Sequence, residues 1–258
     1  MHWDRMSSGW HADYERGRPG YAPGVTSVPG LPHSADVLEL GAGTGKLTRQ
    51  LVADFVHVIA IEPDPDMRRL FAAHCPQAEL VAGTAEQIPL VDASVDGVFV
   101  AEAFHWFDHA RALAEIARVL RPSGVLVLMW NRPSGPIEPS ITAVERLLTP
   151  HWPSEVEMPL DLDPNRFFYA RDWHAAFADS AFGPLQESRH PNPHVVDRDG
   201  LVAFFGSMGW IDTLPDMERA HLLDEVRSQL HADEYRLPFE TDVHWTRLVD
   251  RGRIRRTV

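Results

Sequence analysis

The stretch DVLELGAGTGKLTRQL, from Asp36 to Leu51, decides the fold of this 258-residue chain. It begins with an apolar run, places glycines at alternate positions 41, 43 and 45, and continues as a helical pattern. Glycine lets the backbone adopt positive φ and approach a ligand closely. A strand, a glycine turn and a helix in this order are typical of an α/β sheet that binds a ligand beyond the carboxyl ends of its strands.

The spacing of the glycines excludes two common ligand loops. A phosphate-binding loop follows the pattern G-x-x-x-x-G-K-[ST], but Gly41 lies only four residues before Gly45, and Leu47 occupies the Ser/Thr position. A dinucleotide loop needs its third glycine where Lys46 stands. Two interpretations remain: a loop for a nucleoside without a pyrophosphate, or a purely structural turn.

An acidic residue at the end of the next apolar run favours the nucleoside. Glu62 follows VHVIAI, 21 positions after Gly41. A carboxylate at the tip of the second strand can accept hydrogen bonds from a ribose diol. Taken alone, the glycine turn could be structural and the acid could be solvated, but their spacing together predicts a nucleoside site.

Alternating apolar and helical segments surround this loop. Short runs rich in Val, Ile and Leu predict parallel strands that are buried on both faces, at 36–40, 56–61, 78–83, 95–101 and 124–130. Helical patterns lie between them at 45–55, 64–74 and 108–120, the last ending before Pro122. We therefore predict a Rossmann-like, doubly wound α/β fold with seven strands, mostly parallel, with an antiparallel last strand and a helical, aromatic cap.

The sequence changes character after Trp130, where a stretch rich in Pro, Gly and Ser begins. Later aromatic residues, among them Trp152, Phe167 and Phe168, predict a cap over an apolar acceptor. We predict a single domain, 1–258, whose parts are an N-terminal lid segment (1–30), a nucleoside-binding core (31–131), cap insertions for the acceptor (132–181 and 197–232) and the last two strands (182–196 and 233–249).

Composition limits the partners. The chain has 24 Lys plus Arg against 37 Asp plus Glu, a net charge of −13, so nucleic acid and anionic membranes are poor partners. The basic run at 251–256 is interpreted as a solvated terminus. Cys75 is the only cysteine, and the first 21 residues contain no apolar run of signal-peptide length, so we expect a cytoplasmic protein. The oligomeric state is not indicated.

In their order and spacing, these segments resemble the class I S-adenosylmethionine-dependent methyltransferases from about Trp10 to Trp130. Two elements resemble the small-molecule, type 11-like branch: AFHWF at 103–107, and Y-x-x-x-R-P-x-Y, formed here by Tyr14, Arg18, Pro19 and Tyr21. The resemblance implies S-adenosyl-L-methionine as cofactor, S-adenosyl-L-homocysteine as product, and in-line methyl transfer to an O or N atom of a small molecule. Two alternatives remain: a carbon methyltransferase acting on a quinone-like or lipid-like acceptor, and a non-catalytic nucleoside-binding protein.

The resemblance also assigns cofactor contacts. Glu39 would orient the ligand's ammonium through water, Glu62 would bind the ribose, and Met67 would pack on adenine. Thr84 stands where many relatives have Asp, and Glu86 is a second candidate for contacting the adenine edge. The implied cofactor-binding residues are Tyr14, Arg18, Glu39, Gly41, Ala42, Gly43, Thr44, Gly45, Glu62, Pro63, Met67, Thr84, Ala85, Glu86, Ala101, Glu102 and Ala103.

His105 is the candidate catalytic residue, because it follows the fourth strand and an imidazole can accept a proton near neutral pH. The alternative is that it only packs or hydrogen-bonds near the sulfonium. No catalytic metal is expected, since His190 and His194 lack a nearby acid or cysteine and a single acid follows the fourth strand. The predicted substrate pocket comprises Trp10, Tyr21, His105, Trp106 and Trp210.

Overall fold

The computed structural model describes residues 8–136, 138–151 and 173–249. The predictions made for Trp152, Phe167, Phe168 and the basic run at 251–256 lie outside these residues. The described chain divides into two compact units. The first contains residues 8–20, 132–136, 138–151 and 191–240, and the second contains residues 21–131, 173–190 and 241–249.

A seven-stranded sheet forms the second unit, with the strand order β3-β2-β1-β4-β5-β9-β6. The strands β1 to β5 pair in parallel, and the sheet as a whole is mostly parallel with one antiparallel strand, which confirms the predicted fold class. The strands are β1 Asp36–Leu40, β2 His57–Ile61, β3 Glu79–Val81, β4 Val95–Ala101, β5 Leu120–Pro133, β6 Gln186–Pro191, β7 His194–Asp197, β8 Glu234–Leu237 and β9 Phe239–Arg247.

The three helices predicted between the first five strands are present as α2, α3 and α4, with bounds close to the predicted ones. The second helix starts at Thr48 rather than at Gly45, because Gly45 has φ +87° and cannot belong to a right-handed helix. Among the described helices, none combines the length and apolar character needed to span a bilayer. The helices are α1 Ser8–Gly17, α2 Thr48–Asp54, α3 Pro65–His74, α4 His109–Val119, α5 Pro139–Leu148, α6 Arg198–Gly206, α7 Gly209–Asp212 and α8 Asp216–Gln229.

Side chains of the central strands alternate between two cores, because successive residues of a strand point to opposite faces. On β5, Leu126, Leu128 and Trp130 join the core beneath α4, whereas Val125, Val127 and Met129 join the core beneath α2. Both faces of the sheet are therefore covered, as the continuous apolar runs predict.

The late strands differ from the sequence prediction. Each of the two segments predicted to hold one strand contains two, because prolines interrupt them. Strand β6 ends at Pro191, Pro193 lies between β6 and β7, and Pro238 separates β8 from β9. Proline cannot donate a backbone hydrogen bond to a neighbouring strand. Strands β7 and β8 leave the main sheet and pair with each other, antiparallel, in the first unit.

The first unit has a core of its own. Helices α5 to α8 and the β7–β8 pair bury a continuous apolar cluster whose members include Val144, Phe205, Trp210, Val226 and Tyr235. Helix α1 packs so closely on α6 that a Cβ atom at Gly17 would lie 2.1 Å from the backbone nitrogen of Phe204. The predicted boundaries of lid, core and cap remain predictions.

Candidate active site

The glycine loop follows β1 directly and joins it to the end of β2. The backbone amides of Gly41 and Ala42 both donate to the carbonyl oxygen of Ile61, at 2.9 and 3.1 Å. All three glycines have positive φ: 69° at Gly41, 56° at Gly43 and 87° at Gly45. Since β1 and β4 are adjacent while the chain runs from β1 to β2, the loop lies where the strand order reverses, the usual ligand position in such sheets.

The three glycines of the loop have two different roles, which can be told apart by what surrounds each one. A Cβ atom at Gly41 would lie 2.7 Å from the Cβ of Ala103, and one at Gly45 would lie 2.4 Å from the Sγ of Cys75. At Gly43 a Cβ would meet nothing within 4 Å. Gly41 and Gly45 are therefore required by packing and conformation, whereas Gly43 presents its backbone to open space, where a ligand can approach.

Glu62 lies directly beside Gly43. Its Oε2 accepts from the amide of Gly43 at 2.8 Å, and its Oε1 accepts from the amide of Asp64 at 2.9 Å. The side chain is only 5% exposed, and burial raises its pKa while the two amides oppose that shift. A carboxylate has about four acceptor positions, so this one is fixed in orientation and still has lone pairs for a diol.

The turn that carries Glu62 is held by the start of α3. Asp64 is the N-cap of this helix: its Oδ1 accepts from the amides of Asp66 at 2.7 Å and Met67 at 3.3 Å. Arg68 donates to the carbonyl oxygen of Glu62 at 2.9 Å. Sequence reasoning did not include Asp64, although an Asp before Pro at a helix start is a recognisable capping signal.

Two further polar groups of the loop are buried. Glu39 is 2% exposed and accepts from the hydroxyl of Thr48, and burial raises the pKa of its carboxyl to about 8. With its pKa raised in this way, the carboxyl of Glu39 is expected to be mostly protonated at pH 7. The hydroxyl oxygen of Thr44 is buried and has no hydrogen-bond partner within the described part of the chain.

The residues predicted to contact adenine lie after β3. Thr84 is exposed, Ala85 is buried, and Met67 on α3 is 5% exposed. The Oε1 of Glu86 accepts from the amide of Asp108 at 2.9 Å, which joins this segment to the start of α4. Their predicted contacts with adenine remain predictions.

The end of β4 has an unusual backbone conformation. Glu102 has φ +51°, although it is not glycine, a conformation that costs roughly 1–2 kcal/mol. Its amide donates to the carbonyl of Met129 at 2.9 Å, and its Oε1 accepts from the amide of Asn131 at 2.6 Å. The end of β5 thus fixes the turn after β4, where the buried Ala101 and Ala103 flank Glu102.

The side chain of Asn131 links the end of β5 to Thr241 and Ala22 through buried hydrogen bonds. Its Oδ1 accepts from the hydroxyl of Thr241 at 2.7 Å, and the same hydroxyl oxygen accepts from the amide of Ala22 at 2.9 Å. Sequence reasoning included neither Asn131 nor Thr241. A polar residue at the carboxyl end of a buried strand could have indicated Asn131, but no sequence signal pairs it with Thr241.

His105 lies in the short turn Phe104–Trp106 and is half-buried. The indole nitrogen of Trp130 donates to its Nδ1 at 3.4 Å. Burial and, to a smaller extent, the charge of His109 lower the pKa of His105 to about 4. The neighbouring Trp106 is 40% exposed, with its ring centroid 4.7 Å from that of His105.

The lowered pKa of His105 predicts a specific pH dependence of stability. Between pH 6.5 and 4 the unfolded chain binds more protons at this residue than the folded protein, so its contribution to stability is present above pH 6.5 and is lost as the pH falls. When the pH is lowered from 7 to 5, the free energy of unfolding of the wild type should fall by about 2 kcal/mol more than that of His105→Gln. Urea unfolding at both pH values measures this, with the exposed His57→Gln as control. Equal losses in wild type and His105→Gln would contradict the lowered pKa.

Four of the predicted residues, Trp10, Tyr14, Arg18 and Trp210, lie in the first unit, and two of them bind the same neighbour, Ser207. The carbonyl oxygen of Ser207 accepts from the indole of Trp10 at 2.9 Å and from Arg18 at 3.3 Å, while the Ser207 hydroxyl accepts from Arg18 at 2.7 Å. A cation at the end of α6 is also favoured by the helix dipole. The ring of Tyr14 lies 5.3 Å from that of Trp10, and Trp210 is part of the apolar core of this unit. Their predicted roles toward cofactor and acceptor remain predictions.

Comparisons with known proteins bear on the family and the fold of this chain. Residues 38–128 match the family described as "Methyltransferase domain". An uncharacterised methyltransferase-like protein of Schizosaccharomyces pombe is 32% identical over 242 residues, which cover 89% of this chain and 90% of the relative. An uncharacterised methyltransferase of Mycobacterium tuberculosis is 55% identical over 119 residues, 46% of this chain.

The mycobacterial match spans about half the length of that relative, 49%. Among solved structures, a putative type II methyltransferase from Anaeromyxobacter dehalogenans is similar with a TM-score of 0.60 and 24% identity, covering 89% of this chain and 97% of that one. At this identity the likeness concerns the fold. The relative from fission yeast is matched along most of its own length, so the similarity to it extends over nearly the whole of this chain.

Proposed function

Because the chain belongs to the class I S-adenosylmethionine-dependent methyltransferases, we propose that it binds S-adenosyl-L-methionine and transfers a methyl group to an O or N atom of a small molecule. The observation that carries this proposal is the pair formed by Gly43 and Glu62: an open backbone position beside a buried, oriented carboxylate. When bound, the sulfonium cofactor supplies an activated methyl group.

The residues around this pair suit such a cofactor. Gly43 leaves room for a ribose close to the backbone, and Glu62 can accept hydrogen bonds from its diol. The buried hydroxyl of Thr44 is a polar group that a ligand in the loop could satisfy. Glu39 offers a carboxyl group that can become negative when a cation binds near it. Met67 supplies a buried apolar side chain on α3.

The protein's part in methyl transfer is mainly to align the acceptor atom with the methyl group and to exclude water. Proton removal by His105 is disfavoured, because its Nδ1 accepts from Trp130 and its pKa lies near 4. We infer that the acceptor atom attacks with a lone pair that is already free, so that no base has to remove a proton first, as holds for a carboxylate oxygen or for an amine that is neutral at pH 7. An electron-rich carbon can also attack before any proton is removed, and it then loses its proton to water after the C–C bond has formed; the position of the methyl group in the product separates these cases.

The acceptor itself is expected to be small and partly apolar. The exposed face of Trp106, beside His105, offers an aromatic surface next to the end of β4. A net charge of −13 opposes nucleic acid as a substrate. The alternative of a protein that binds the nucleoside without turnover predicts binding but no methylated product with any acceptor.

Calorimetric titration tests the cofactor first. The purified protein, shown by mass spectrometry to be free of co-purified nucleoside, is titrated with S-adenosylmethionine, S-adenosylhomocysteine and NAD. We expect micromolar binding of both sulfur nucleosides and none of NAD, because the glycine spacing does not suit a pyrophosphate. Absence of binding by the sulfur nucleosides would refute the proposal.

Cofactor binding should also release a proton from Glu39. Its carboxyl is mostly protonated at pH 7 without ligand, and a nearby ammonium lowers its pKa, so affinity should rise as the pH increases toward 8. At pH 7, the heat of binding S-adenosylhomocysteine in buffers of different ionisation enthalpy should report release of up to about one proton.

Two controls isolate the source of that proton. Glu39→Gln keeps the shape of the side chain but cannot release one, so the buffer dependence should decrease. Methylthioadenosine lacks the amino-acid part of the cofactor and should bind without the release. An unchanged buffer dependence in Glu39→Gln would show that another group is responsible.

A further inference from the structure

We propose that Trp130 is a positioning residue that holds His105 in the tautomer with its hydrogen on Nε2, so that His105 acts toward the acceptor as a hydrogen-bond donor. The tautomer is a property of the protein alone. Only its use toward an acceptor rests on the proposed function.

The chemistry of the two rings determines the direction of this contact. An indole N–H can donate but cannot accept, so the imidazole nitrogen that faces it must carry a lone pair. That nitrogen is Nδ1, 3.4 Å from the Nε1 of Trp130. A neutral imidazole has one N–H, and it must then be on Nε2.

Trp130 is held more firmly than a loop residue could be. It lies on β5, which is paired with β4 up to the register Ala101–Met129, and it is only 4% exposed. Its ring packs against Trp173, with centroids 5.1 Å apart, and lies edge-on to His244 at 5.9 Å. The central sheet therefore fixes the donor, and the donor in turn fixes the ring of His105.

Asn131, the residue after Trp130, likewise orients a side chain that follows β4. While the side chain of Trp130 contacts His105, the backbone amide of Asn131 holds the carboxylate of Glu102. Two consecutive residues of β5 thus orient the two polar side chains that follow β4. A donor at Nε2 can bind an oxygen of the acceptor and hold the reacting atom in line, without removing a proton.

Nuclear magnetic resonance of the histidine rings tests the tautomer directly. Uniformly ¹⁵N-labelled protein at pH 7 gives long-range ¹H–¹⁵N spectra in which protonated and unprotonated ring nitrogens are well separated, and loss of one pattern in His105→Gln assigns it. For wild type we expect an unprotonated Nδ1 and a protonated Nε2. In Trp130→Phe, which keeps an aromatic ring but removes the N–H, we expect His105 to become a mixture of both tautomers.

Trp173→Phe is the matched control, because it removes another buried indole N–H from the same cluster, one with no hydrogen-bond partner among the described residues. It should leave the His105 pattern unchanged. A wild-type pattern with the hydrogen on Nδ1, or identical patterns in wild type and Trp130→Phe, would overturn the proposal. If Trp130→Phe does not fold, the wild-type spectrum still shows which ring nitrogen of His105 carries the hydrogen, and a hydrogen on Nδ1 would still overturn the proposal. Neither outcome depends on the cofactor titration.

Discussion

Replacing Gly45 with alanine is expected to lower the free energy of unfolding by about 3 kcal/mol or more. The added Cβ would lie 2.4 Å from the Sγ of the buried Cys75, and the residue would have to keep φ +87°. Gly43→Ala should cost only about 1–2 kcal/mol, because φ is again positive but the Cβ meets open space. The same methyl group at position 43 would occupy space proposed for the cofactor, so this variant should fold and bind S-adenosylmethionine poorly.

Urea unfolding of both variants measures these differences, and two other glycines supply controls. Gly24 has φ +79° with nothing within 4 Å of its Cβ position, so Gly24→Ala gives the conformational cost alone. Gly20→Ala adds a methyl group in open space at an ordinary φ. Cys75→Ala introduced together with Gly45→Ala should recover part of the loss, since it removes the clashing sulfur. Equal costs at positions 43 and 45 would show that packing against Cys75 does not matter.

Replacing Glu62 with glutamine is expected to weaken S-adenosylmethionine binding at least 100-fold, equivalent to about 2.7 kcal/mol. The carboxylate accepts from two backbone amides, and an amide group can accept at only one of its two ends. The other end would present an NH2 group to a backbone N–H, which should disturb both the loop at Gly43 and the acceptor for the ribose. Calorimetric titration measures the loss.

The control for this change is Glu79→Gln on β3, which removes the same charge from an exposed position of the same sheet. It should bind the cofactor like wild type. Circular dichroism and urea unfolding of Glu62→Gln separate a local effect from loss of the fold. If a folded Glu62→Gln protein binds within threefold of wild type, Glu62 is not the ribose acceptor.

The sequence predicted the sheet well because its signals there are local. Each strand from β1 to β5 is a short apolar run, each helix between them has an amphipathic period, and the glycine turn follows β1 at once. The positions of Gly43 and Glu62 follow from the order of strands, since the carboxyl ends of neighbouring parallel strands meet at one edge. The start of α2 was displaced by the left-handed conformation of Gly45, and β5 begins at Leu120, four residues before its predicted start.

The contacts that the sequence did not predict join residues far apart in the chain. The Trp130–His105 and Asn131–Thr241 hydrogen bonds depend on which strands become neighbours and on the register between them. The separate β7–β8 pair follows from prolines, but the sequence alone does not say which strand each fragment joins. Prolines mark the breaks, whereas tertiary packing selects the partners.

The hydrogen bond from Ala22 to Thr241 has a consequence for hydrogen–deuterium exchange. Ala22 lies outside any helix or strand, yet its amide donates to a buried side-chain oxygen that is also bound to Asn131 on β5. Its amide can exchange only when the segment around Ala22 separates from β9. A slowly exchanging amide in an irregular segment is therefore an intrinsic probe of how often that segment opens, and it needs neither cofactor nor attached label.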